Sequence, residues 1–160
     1  MPAWTSPAAE IVSFLKSIGI AVTPGPVADS FLPGIAIRDG SIVADPERGF
    51  EPGDLLHEAG HIALADPAAR ASLCVVEDGP AEEMAVLAWS YAAALAIGLD
   101  PHLLFHANGY RGEGPWLAEQ FMRGALIGVP MLQYHGLCAE PHRADALGLP
   151  AYPQMARWLR

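Results

Sequence analysis

His57, Glu58 and His61 stand in the run His-Glu-Ala-Gly-His, which gathers three chemically able side chains within five residues. On an α-helix, residues four apart lie on one face, one turn above the other. His57 and His61 therefore direct two imidazoles at one point, as a zinc ion requires of two ligands. Glu58 lies one position round, able to reach that point without being a ligand. Zinc brings the pKa of a water it holds down toward neutrality, and a carboxylate beside it takes up the proton as attack begins. His-Glu-x-x-His thus supplies two ligands and a general base from a single turn. Leu55, Leu56, Ala59, Ile62, Ala63 and Leu64 make the same helix apolar nearly all round, which predicts burial. Polar groups inside a buried helix need partners. A Zn2+ cofactor is the partner we expect.

Catalytic zinc takes three protein ligands and keeps one position open. The nearest carboxylates downstream are Glu82 and Glu83, in Ala-Glu-Glu-Met-Ala at the head of the next helix. A plainer role exists for one of them, because an acid in a first turn can complete a capping arrangement and favour the helix dipole. His-Glu-x-x-His on one helix, followed by Glu-x-x-Ala opening the next, resembles the zincin pattern in which a glutamate is the third ligand. With a hairpin just before the metal helix, residues 34–99 look like the ImmA/IrrE-type metallopeptidase-like domains. The resemblance implies His57, His61 and Glu82 as metal ligands and Glu58 as general base. It favours Glu82 over Glu83 because Ala85 then fills the small position three residues on.

A second histidine pair, His102 and His106, is also four apart, but it has no acid between its members and sits in a short segment. Packing, or a place on the rim of the first site, explains it better than a second metal. Zinc peptidases stabilise the tetrahedral oxyanion with the metal and a His, Tyr or Arg from elsewhere. His106-Ala-Asn-Gly-Tyr110-Arg111-Gly is the best source in this chain, with His106 or Tyr110 as the donor, and Tyr134-His135 follows.

These residues need a scaffold. Ile11, Val12, Phe14, Leu15 and Ile18 predict a helix over 7–19, with Ser6 as its cap. Asp39-Gly40 between two short apolar runs predicts a hairpin within 34–45. Asp54 is placed to cap the metal helix, which Asp66-Pro67 must end near Ala65. A long helix is expected from Pro80 to about Gly98, and shorter ones over 101–107, 116–127 and 152–159. The fold class is α+β: a mostly helical, compact zincin-like domain with a small antiparallel β-hairpin or sheet beside the His57–His61 helix. One domain over 1–160 is expected, since no repeat, low-complexity tract or linker interrupts the chain.

The chain has 160 residues, 52% of them hydrophobic and 17% charged, which excludes a disordered polymer. Its longest apolar run, 84–99, is interrupted by Ser90 and Tyr91 and falls short of the roughly 20 residues a bilayer requires. A net charge of −9 with nine scattered Lys and Arg opposes a nucleic-acid partner. The N-terminal residues carry no basic stretch ahead of an apolar one. With Cys74 and Cys138 far apart, two reduced, buried thiols in a cytoplasmic protein are expected. The functional expectation is a zinc-dependent hydrolase, a metallopeptidase acting on a peptide or protein. The alternative is a regulatory or partner-binding zincin-fold protein with little or no turnover. Oligomeric state has no signature in the sequence.

Overall fold

The computed structural model describes residues 3–160. The chain divides into two compact units, Met1–Val76 and Glu77–Arg160.

The first unit opens with α1, Ala8–Ser17, whose Ile11 and Leu15 are wholly buried. Ser6 does not cap it by a backbone contact; its hydroxyl donates to Glu10 Oε1 at 2.9 Å. The hairpin forms where Asp39-Gly40 predicts it. Strand β2, Ile35–Arg38, pairs antiparallel with β3, Ser41–Ala44, with Arg38 opposite Ser41 and Ile35 opposite Ala44. Asp39 and Gly40 have φ of 49° and 69°, the left-handed pair that a two-residue turn needs to match strand twist. Ile35, Ile37, Ile42 and Ala44 are buried, so one face of the hairpin is core.

A third strand, Val22–Pro24, lies parallel to β3 on its other side, and the sheet is mixed rather than purely antiparallel. We number it β1. Its sequence, entering Thr23-Pro24-Gly25-Pro26, reads as a connection. Proline is tolerated there because β1 is an edge strand that need not donate throughout. Helix α2, Pro52–Leu64, packs on α1, β2 and β3. It starts one turn earlier than Asp54 suggests. Pro52 occupies its first position, and Asp54 lies inside the first turn, 4% exposed.

The second unit is built on α3, Pro80–Ile97, which ends at Gly98 as its sequence predicts. Val86, Ala88, Trp89 and Ala92 to Ala94 are buried, so the helix is apolar because it is core. Among the described residues, no helix is long and apolar enough to cross a membrane. Four shorter helices follow: α4, Pro101–Leu104; α5, Gly114–Met122; α6, Val129–Tyr134; and α7, Ala144–Leu147. Helix α6 packs on α3. At Gly128, before α6, a Cβ would run into the Met84 carbonyl, and φ is 76°. Only glycine lets the chain come so close to the first turn of α3.

Residues 152–159 are not helical. Ala151 bridges Ala139, and beyond it the chain forms turns. Pro153 disfavours helical angles at Tyr152. The tail is engaged with α3 instead: Tyr152 donates its hydroxyl to Ala88 O at 2.8 Å, and Trp89 Nε1 donates to Trp158 O at 2.9 Å. Both cysteines are free thiols, but only Cys138 is buried, and burial pushes its pKa up to about 11. Cys74 is exposed, with the Asp39 amide donating to its sulfur at 3.3 Å.

Candidate metal centre

Helix α2 carries His57, Glu58 and His61, and its register decides how they stand. Leu55, Leu56, Ala59 and Ile62 are buried, which leaves His57 and Glu58 half-buried and His61 6% exposed. The Nε2 atoms of His57 and His61 are 3.2 Å apart, with ring planes at 81° and centroids 4.8 Å apart. In a metal-free protein one of these nitrogens can donate its proton to the other. The same spacing suits a metal. Two nitrogens about 2.0–2.1 Å from one zinc ion at tetrahedral angles lie about 3.3 Å from each other.

One group of three among the described residues has its ligand atoms close enough to hold a metal ion: His57, His61 and Glu83, all within 4.8 Å of one another. Two imidazoles and a carboxylate form the donor set of a three-ligand zinc site with an open position. The third member is Glu83, not the Glu82 that the Glu-x-x-Ala spacing favours. Neighbours on a helix project about 100° apart, so only one of the two can face a given point. Glu82 is exposed, and its Oε2 lies 2.9 Å from where a Cβ of Gly79 would be. Gly79 is the N-cap of α3 and Glu82 its third residue, so this carboxylate turns back over the helix start as capping acids do. Glu83, one position on, is half-buried.

Comparison with protein-family models, curated proteins and solved structures gave no match. What the centre can do therefore follows from its own residues.

His102 and His106 do not share a helix. Helix α4 stops at Leu104, leaving His102 at its edge and His106 buried beyond its end. Asp100 caps this short helix, its Oδ1 accepting from the His102 amide at 2.9 Å. His106 packs instead on Tyr110, with ring centroids 5.9 Å apart, and Tyr110 in turn meets Phe105 at 5.4 Å. Tyr110 and Arg111 take φ of 56° and 55°, two consecutive non-glycine residues in the left-handed region. Such backbone persists only where its surroundings impose it. Nothing in the sequence announces this conformation, since Gly109 and Gly112 are the residues expected to bend. Tyr134 is exposed and meets the His135 ring edge-on, with centroids 5.3 Å apart. Burial, and then the charges of Arg160 and Arg157, lower the pKa of His135.

Proposed function

We propose that this chain is a zinc-dependent hydrolase of the His-Glu-x-x-His kind, a metallopeptidase that cleaves an amide bond in a peptide or protein. The observation that carries the reading is the 3.2 Å approach of the His57 and His61 Nε2 atoms, with a Glu83 carboxylate oxygen in the same group. The donor set fits zinc, whose Lewis acidity polarises a carbonyl and makes water a nucleophile near neutral pH. His57, His61 and Glu83 are the residues that would hold it.

Glu58 is the general base. It sits beside His57 on the same rigid turn, accepts the proton an attacking water gives up, and returns it to the departing amine. For the oxyanion donor we assign His106 or Tyr110, side chains able to donate a hydrogen bond. The order of motifs supports kinship with zincins and with ImmA/IrrE-type metallopeptidase-like domains. We place the protein in the cytoplasm.

Glu58→Gln tests the mechanism, because it keeps the side chain's size and leaves both histidines intact. Cleavage of a broad peptide library, read by mass spectrometry, is expected to fall about 10²–10⁴-fold while zinc content stays at the wild-type level. Equal cleavage by the two proteins rejects Glu58 as the base. A protein partner that both bind and neither cuts would replace the enzyme by a regulatory zincin-fold protein.

A further inference from the structure

Helix α2 ends at Leu64, and the carbonyls of its last turn have no helical amide beyond them to accept from. His61 lies in that turn. Its imidazole reaches the His57 imidazole only while the residues between them keep helical dihedrals, so a frayed end would separate the two nitrogens.

One side chain bonds three carbonyls at the end of the helix, alongside the Ala65 amide, which donates to Ile62 O at 3.3 Å. Arg70 Nε donates to Ile62 O at 3.0 Å, and Arg70 Nη2 donates to Ala63 O at 3.1 Å and to Ala65 O at 3.4 Å. The guanidinium is a planar fork of donors, and its charge stands at the negative end of the helix dipole. A tight turn returns Arg70 to this place. Asp66 Oδ1 accepts from the Ala68 amide, and Asp66 O from the Ala69 and Arg70 amides, each at 2.9 Å. The hairpin tip closes over that turn. Gly40 donates its amide to Leu73 O at 2.9 Å, and a Cβ at Gly40 would run into the Arg70 carbonyl oxygen.

We infer that Arg70 is a positioning residue of the metal centre, clamping the last turn of α2 so that His57 and His61 keep metal-binding spacing. The inference rests on the metal reading proposed above. It also ties the hairpin to the metal centre, because the glycine tip seats the loop that carries the clamp.

Arg70→Met keeps the length of the side chain and removes its donors, whereas Arg70→Lys keeps the charge and cannot span three carbonyls. Zinc affinity is measured by competition with a chromophoric chelator, well below the melting temperature of each variant. Cobalt(II) absorption reports the geometry of the site. Groups that orient metal ligands are worth roughly 10–100-fold in affinity, and we expect about tenfold weaker zinc binding in Arg70→Met. Arg70→Lys and Gly40→Ala should be weakened less, with a shifted cobalt spectrum. In the metal-free protein, amide exchange at His61 to Leu64 should speed up in Arg70→Met while α1 is unchanged. Should Arg70→Met fail to fold, the other two variants carry the same comparison. Faster exchange with wild-type zinc affinity would reduce Arg70 to a helix cap and overturn the positioning role. Wild-type protein that takes up neither zinc nor cobalt would instead refute the metal reading itself.

Discussion

His57 and His61 face each other across one helical turn, Nε2 to Nε2 at 3.2 Å, on a helix whose remaining surface is almost wholly buried. A hydrogen bond between two imidazoles is a modest reason to keep both in such a place. Their shared point of aim, with a carboxylate beside it, is a stronger one.

Removing either imidazole should therefore empty the site. We expect one zinc per wild-type chain by elemental analysis after dialysis, and close to none in His57→Ala or His61→Ala, since two ligands hold zinc poorly. Zinc at about 100 times its Kd stabilises the folded state by about 2.7 kcal/mol, so a chelator should lower the wild-type melting temperature and leave both variants unmoved. Full zinc in both variants would place the metal elsewhere.

The two adjacent glutamates should behave differently. Glu83→Gln removes a ligand and is expected to weaken zinc binding by an order of magnitude or more. Glu82→Gln should leave zinc affinity near wild type, with a cost to α3 of about 0.3–1 kcal/mol from the lost charge at the helix start. Titration of the two variants against the same chelator decides the matter. The reverse ranking returns the ligand role to Glu82.

Asp45 gives the hairpin a pH dependence. The Arg48 amide, then the Val27 amide, bond its carboxylate and hold its pKa below the usual carboxylate value. A folded-state pKa below the unfolded one means that the stabilisation is fully present above the unfolded value. It fades as pH falls through the lowered folded value. Asp45→Asn should then be less stable than wild type at neutral pH. The gap should close in acid, as followed by urea denaturation from neutral to strongly acidic pH. A gap independent of pH would assign the effect to geometry rather than charge.

Much of this protein is written locally. Asp39-Gly40 specifies a hairpin because both residues tolerate the left-handed angles of a two-residue turn. Pro80 and Gly98 bracket α3 because one suits a first helical turn and the other an end. The histidine spacing of α2 places two imidazoles together by the pitch of the helix alone. Other features depend on partners far away in sequence. Strand β1 exists because β3 offers it an open edge, which three residues rich in turn signals cannot reveal. Residues 152–159 have apolar spacing fit for a helix, yet Tyr152 and Trp158 bond to α3 instead. The choice between Glu82 and Glu83 belongs here too. Their spacing is the same to within one residue, and one carboxylate folds back over Gly79 while the other joins the histidines. Arg70 is the clearest case. It stands in an alanine-rich loop with no pattern around it, and only the turn at Asp66 and the glycine tip of the hairpin bring it to the end of α2. Helix pitch and turn angles act between near neighbours and can be read from them, whereas a clamp or an edge strand is settled by which distant surfaces meet.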